Sequence, residues 1–237
     1  MAGTLAAEFA EYPRRPAGAP LALQGIRVVD FTHFIAGPFA TMILADMGAD
    51  VVKIEAPGRG DDFRQYPPMV PELEGGVPFA WCNRTKRSIA LDLKSPAGLA
   101  TTKALVAKAD VVVENFSTGV MDRIGLGYGV CRALNPRIVF CSVSAYGREG
   151  PYSDRGGFDP IAQAESGFIR MNGYPDREGV RALAPVMDTS TAMMAASSAP
   201  AKCCASWAGV DPGVIPCLEK SVQRAAKRNA ARAPGCS

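Results

Sequence analysis

Residues 25–62, GIRVVDFTHFIAGPFATMILADMGADVVKIEAPGRGDD, constrain the fold more than any other stretch of the chain. Ile26, Val28, Val29 and Phe31 form one short run, and Val51, Val52 and Ile54 another. Each is too short for a helix and apolar enough to be covered on both faces of a parallel sheet. Between them Pro38 suits a first helical turn and Gly48 a left-handed cap, which predicts a crossover helix over residues 39–47. Strand, helix and strand follow with almost no slack, as in a right-handed βαβ unit. The loop leaving the first strand, residues 32–37, then lies at the carboxyl edge of the sheet beside a helix N-terminus. That position favours a phosphate-bearing ligand. Neither G-x-G-x-x-G in this loop nor G-x-x-x-x-G-K-S/T anywhere supports a nicotinamide, flavin or ATP site.

Further runs at 110–113 and 138–143 read as buried strands, and Ser95-Pro96 opens a helix over 95–108. The chain is therefore expected to be α/β, a Rossmann-like parallel sheet with flanking helices, over residues 21–196. Residues 1–20 are expected to form a flexible extension; they carry Glu8 and Glu11 and no apolar core of signal type. At 237 residues and 48% hydrophobic the chain can build one sizeable α/β domain, or one and part of another. No apolar run approaches the roughly 18 residues of a membrane helix, so the expectation is a cytoplasmic protein without membrane contact. Seven cysteines without a C-x-x-C pair, and a single histidine, argue against a zinc or disulfide framework, and no metal is expected.

The net charge of +3 is unevenly placed. Residues 197–237 hold six Lys or Arg against two Asp or Glu, leaving the body close to neutral. A nucleic-acid surface would need basic residues clustered on the folded body, so no nucleic-acid partner is expected. The composition changes at the same point: the last segment holds four of the seven cysteines and few large aliphatics. It reads as a divergent, basic, poorly ordered tail, within which 218–233 could form a solvated Ala-rich helix.

Five segments, in order, carry a resemblance: GIRVVDFTHFIAGPFATMILADMGADVVKIEAPGRGDDFR, NRTKRSIALDLKSPAG, DVVVENFSTGVMDRIGLGY, NPRIVFCSVSAYGREGPYSDRGGFDPIAQAESG and APVMDTSTAMMAA. Together they resemble the family III CoA-transferases of the carnitine and bile-acid type, over about residues 21–196. The resemblance implies coenzyme A, bound as acyl-CoA substrate, and a carboxylic acid as second substrate. It implies CoA contacts at Ile35 and Ala36, at Leu91 to Lys94, at Asn115, Phe116 and Ser117, and at Arg123. Lys94 and Arg123 would neutralise phosphate, Asn115 would hydrogen-bond the ligand and Phe116 would pack on an apolar part of it. Read alone, Lys94 and Arg123 are equally solvated surface cations, and Phe116 a core residue. His33 could touch ligand or be a partly buried loop imidazole.

The resemblance implies that Asp188 attacks the thioester and carries the acyl group and then CoA. On capping preference alone, an Asp before Thr-Ser-Thr-Ala-Met-Met is an N-cap. Two positions depart from relatives. Ala56 stands where some place an arginine, with Arg59 or Arg64 as substitutes, and the nearest cation before GGFD is Arg155 rather than a lysine slightly later. The racemase relatives use a His–Asp pair for proton transfer, and the position of that histidine is Phe158 here. Full-length relatives continue into a second domain and form interlocked homodimers. Nothing after residue 196 reads that way, so a third expectation is a truncated, inactive CoA-binding fragment.

Overall fold

The computed structural model describes residues 18–207 and 214–217. Six parallel strands form one sheet: β1 (Arg27–Asp30), β2 (Asp50–Glu55), β3 (Arg87–Ala90), β4 (Val111–Glu114), β5 (Val139–Val143) and β6 (Val214–Cys217), in the order β3-β2-β1-β4-β5-β6. The helices among the described residues are α1 (Ala36–Asp46), α2 (Val77–Asn83), α3 (Pro96–Val106), α4 (Val120–Arg123), α5 (Tyr128–Leu134), α6 (Asp159–Glu165), α7 (Phe168–Met171) and α8 (Val186–Trp207), with a 3-10 turn at Asp62–Gln65. The expected α/β parallel sheet is present.

Side-chain alternation along the strands divides the core between the two faces of the sheet. Val28, Val51, Val111, Val113, Val139 and Cys141 face α1 and α8, where Ala40, Leu44, Ala192, Ala195, Ala196 and Ala199 meet them. Val29, Ile54, Val112 and Phe140 face the opposite layer and pack with Val106, Met121, Leu126 and Cys131. A strand buried on both faces has no polar alternation, which is why these segments read as near-continuous apolar runs. The α8 residues that enter this core are Ala192, Ala195, Ala196 and Ala199, and their short side chains let the helix lie close against α1 and the sheet.

Three local features differ from the sequence reading. The crossover helix begins at Ala36, not Phe39, so Pro38 is its third residue. The first-turn N–H groups have no intrahelical acceptor, so a proline there costs no hydrogen bond. Gly48 does follow the helix with φ 102°. The edge strand β3 was not anticipated: in RSIA only Ile89 is partly covered, leaving no apolar run to recognise. Finally, the boundary read at residue 196 falls inside α8, which continues past Pro200 to Trp207, and Val214–Cys217 pairs with β5 in register from Phe140↔Val214. Residues 1–17 and 218–233, read as a flexible extension and a solvated helix, lie outside the described residues.

The strand order reverses direction between β1 and β4. In open parallel sheets the crevice at such a point, beyond the carboxyl ends of the strands, is where ligands enter.

Candidate functional site

Two loops meet at this crevice. The loop after β1 carries His33, Phe34 and Ile35, and the loop after β4 carries Asn115, Phe116 and Ser117. Asn115 joins them as a second backbone would. Its Oδ1 accepts from the His33 N–H at 2.8 Å, and its Nδ2 donates to the His33 carbonyl at 2.8 Å. The His33 ring lies against Phe116 with centroids 5.3 Å apart. Phe34 takes the left-handed conformation, φ 61°, which is unfavourable for a bulky residue. Its N–H points to Asp61 Oδ1 at 3.3 Å.

Beneath the first loop lies a buried charge network. Lys53, 1% exposed, projects from the middle of β2. An unpaired ammonium there would cost several kcal/mol. Its Nζ donates to the Thr32 carbonyl at 2.5 Å and lies 2.9 Å from Asp61 Oδ2. Lys86, just before β3, donates to Asp30 Oδ2 at 3.0 Å, the Pro38 carbonyl at 2.9 Å and Asn83 Oδ1 at 2.8 Å. Asp30 also accepts from the Thr32 N–H and the Thr41 hydroxyl at 2.8 and 2.6 Å. Burial opposes ionisation of Asp30, but Lys86 and Lys53 outweigh it and hold the carboxyl down at about 2. Asp61 is likewise lowered: burial works against its charge, and His33 and Lys53 overcome it. Burial draws the Lys86 ammonium down to about 8 although Asp30 supports its charge. Gly37 closes against this network, since a Cβ there would lie 2.4 Å from Thr32 Cβ.

A second network supports the other loop. Glu114 accepts from Arg148 Nη2 at 2.7 Å and from the Ser142 hydroxyl, and its Oε2 accepts from the Phe116 N–H at 2.9 Å. Arg148 Nη1 donates to the Phe116 carbonyl at 2.8 Å. Burial raises the Glu114 carboxyl despite the arginine beside it. Glu114, Ser142 and Arg148 border a cavity of about 530 Å³ that is also lined by Ser117, Gly119 and Tyr128.

Asp188 is the third residue of α8, in the first turn of the helix. Because α8 returns the chain from β5 to the parallel strand β6, its N-terminus lies at the same carboxyl edge as the two loops. Asp188 does not cap its own helix. That role falls to Asp159, the first residue of α6, whose Oδ1 accepts from the Met187 and Asp188 N–H groups at 2.7 and 3.3 Å. Gln163, fully buried one turn later, donates to Asp159 Oδ2 and exchanges bonds with Ala182, accepting its N–H at 2.9 Å. The Asp188 carboxyl is left without the cap bond that sequence alone favoured. Burial, with the neighbouring Asp159 adding to it, pushes it up to about 6. Burial also pushes the Cys82 thiol up to about 12, with Asp188 among the charges acting on it. Ile35 packs on the same Cys82 cluster, together with Phe63 and Phe79, so the helix start and the first loop share one neighbourhood.

Residues 23–209 match the family described as CoA-transferase family III, well over half of the chain. The chain belongs to CoA-transferase family III. An acyl-CoA transferase of Fusarium pseudograminearum is 46% identical over 179 residues, covering 73% of this chain and 39% of that protein. The succinate–glutarate CoA-transferase of Agrobacterium fabrum is 43% identical over 181 residues, covering 74% and 45%. A CaiB/BaiF family protein from Brucella suis, solved by crystallography, superposes with a TM-score of 0.80 at 32% identity over 92% of this chain and 60% of that one. The chain thus spans about two fifths of the length of these curated relatives.

Against this family background the residues singled out in the sequence fall into groups. Ile35 and Ala36 flank the switch point from one side, and Asn115, Phe116 and Ser117 from the other. Arg123 ends α4, and its guanidinium lies over Gly119, where a Cβ would be 3.0 Å from Nη1. Leu91 follows β3, with its N–H bonded to the Glu55 carbonyl at 2.9 Å, and flanks the same apolar layer as Phe116. Lys94 is exposed on the turn before α3. Asp188 is on the opposite layer, with α1 and α8.

Arg64, one of the two arginines read as a substitute for the residue at position 56, is bonded within the fold. Its Nε and Nη2 each bond Glu55 at 2.7 Å, and it stacks 4.0 Å over Phe79. Burial resists the charge on Glu55, and Arg64 with Ser88 holds it down at about 2. Arg59 pairs with Asp62 at the surface, and Arg155 lies between Tyr146 and Tyr152, bonded to Glu165 at 2.5 Å. Sequence reasoning missed Lys53, Lys86, Asp61, Asp159 and Gln163. One signal was present: a lysine inside the apolar run VVKIE must find a buried partner.

Proposed function

We propose that the chain supplies the CoA-binding part of a transferase that moves coenzyme A from an acyl-CoA to a free carboxylic acid through a covalent intermediate on Asp188. The observation that carries this reading is the state of Asp188. Its helix is capped by Asp159, so its carboxylate is free of a capping bond while poised near neutrality.

Asp188 attacks the thioester carbonyl; the C–S bond breaks, CoA leaves as thiolate and Asp188 carries the acyl group as a mixed anhydride. The thiolate then attacks the aspartyl carbonyl and the donor acid departs, leaving an aspartyl thioester. The acceptor carboxylate attacks that thioester, its C–S bond breaks to release CoA thiolate and leave a second mixed anhydride, and the thiolate then attacks the acceptor carbonyl, giving the new acyl-CoA and releasing the Asp188 carboxylate. Each step exchanges one acyl substituent, with no net oxidation and no proton stored. The Asp159 caps, the buried network under residues 32–38 and the Asn115 bridge fix the geometry of the edge. Exclusion of water protects the anhydride.

Support for coenzyme A over a nicotinamide comes from the crevice itself. It offers helix N–H groups, an aromatic–imidazole wall and exposed cations, without a glycine fingerprint. Proton transfer at the α-carbon has less support, because position 158 carries phenylalanine, 62% exposed, where the racemase relatives hold their base. Exchange of label between an acyl-CoA and a free acid tests the proposal. Solvent deuterium entering the α-carbon without acid exchange contradicts it.

A further inference from the structure

Lys53 and Lys86 are unusual in how completely they are covered: each side chain is 2% exposed. Replacing a buried ion pair with well-packed apolar residues is often neutral or stabilising, so such pairs are poor devices for stability alone. What they do well is fix directions. Lys53 holds the Thr32 carbonyl and Lys86 the Pro38 carbonyl, one at each end of the first loop. Asp30 holds the Thr32 N–H, and Asp61 Oδ1 faces the Phe34 N–H and binds the Phe63 N–H at 3.0 Å. The loop's inward-facing groups are therefore tied to side chains beneath it. Phe34 is kept at its positive φ, and the N–H groups of Ile35, Ala36 and Gly37 begin α1 without a side-chain cap.

We propose that Lys53 and Asp61, with Lys86 and Asp30, are positioning residues that hold the β1–α1 loop in a ligand-ready conformation and thereby set its affinity for the phosphate groups of coenzyme A. This rests on the CoA reading above, and the network acts through the loop rather than by touching ligand. Its mechanism is preorganisation: a loop already held in its binding conformation loses less freedom when the ligand arrives.

Two variants of the full chain test it: Lys53→Met/Asp61→Asn, which removes both charges so that neither is left uncompensated, and Lys86→Met. For each, free CoA affinity is measured by calorimetry, amide hydrogen exchange is followed over residues 33–37 and over β1 and β4, and thermal melting is recorded. The expected result for the double variant is CoA binding at least about tenfold weaker, with faster exchange confined to 33–37. Melting should stay close to wild type and exchange in the strands unchanged. Lys86→Met should loosen the Pro38 end of the same segment. Unchanged exchange at 33–37 overturns the positioning role, and so does a uniform rise in exchange with a lower melting point, which is the mark of a merely structural pair. If the loop loosens as expected and CoA does not bind even the wild-type chain, the CoA reading fails and the control of loop geometry stands.

Discussion

Asp30 and Asp188 stand at the same edge of one sheet and have been driven in opposite directions. Asp30 is wholly buried, yet its carboxyl is held at about 2 because Lys86 and Lys53 and two threonine hydroxyls surround it. Asp188 is only half-buried, yet it is pushed up to about 6, with Asp159 as its charged neighbour. Depth of burial alone would predict the reverse order. The partner decides: two ammonium groups outweigh the loss of water at Asp30, and a second carboxylate reinforces it at Asp188. The first environment suits an anchor under a loop, and the second suits the role proposed for Asp188.

The most severe way to break this contrast is to remove the anchor. Asp30→Leu leaves the buried Lys86 without its carboxylate partner, Lys53 keeping Asp61, and should cost about 3–5 kcal/mol in urea denaturation. A loss below about 1 kcal/mol would show that Lys86 finds another partner.

The next largest effect has the opposite sign. The folded-state value of Asp188 lies above its unfolded value. Its favourable contribution is therefore complete below pH 3.8 and is lost as pH rises through about 6. Asp188→Asn should stabilise the chain at pH 7.5 by about 2 kcal/mol after allowing for partial exposure, and the gain should vanish by about pH 4. Denaturant melts at the two pH values check this. Asp159→Asn keeps an acceptor for the α8 amides and removes the facing charge. It should lower the apparent value of Asp188 by about one pH unit, read from the chemical shift of its side-chain carbon. No shift would mean that burial alone raises Asp188.

Last comes a surface pair that should scarcely matter. Arg87 bonds Asp50 at 2.6 Å with both side chains largely exposed, and Arg87→Ala should change stability by less than about 0.5 kcal/mol.

These contrasts also separate what the sequence could reveal from what it could not. Strands β1, β2, β4 and β5 were legible because both faces are covered and each reads as a compact apolar run. Strand β3 was not, because it lies at the edge with a single partly covered apolar residue. Gly48 announced the end of α1, but Pro38 misplaced its start by three residues, since proline is tolerated throughout a first turn. Asp188 and the loop residues were singled out through the order of five motifs. Their setting was invisible, because Asp159 lies 29 residues from Asp188 in sequence and reaches it only through the packing of α6 on α8. Lys53 needed the reverse argument: its strand was recognised, but nothing in the sequence named Thr32 or Asp61 as its partners.

The proposed mechanism requires that Asp188 be the group acylated. The most direct measurement is to incubate the purified chain with several acyl-CoAs, quench with hydroxylamine or borohydride, and map the product by mass spectrometry. A hydroxamate or an alcohol is expected at Asp188, absent from Asp188→Asn. Trapping at another residue, or equal trapping in the variant, would contradict it.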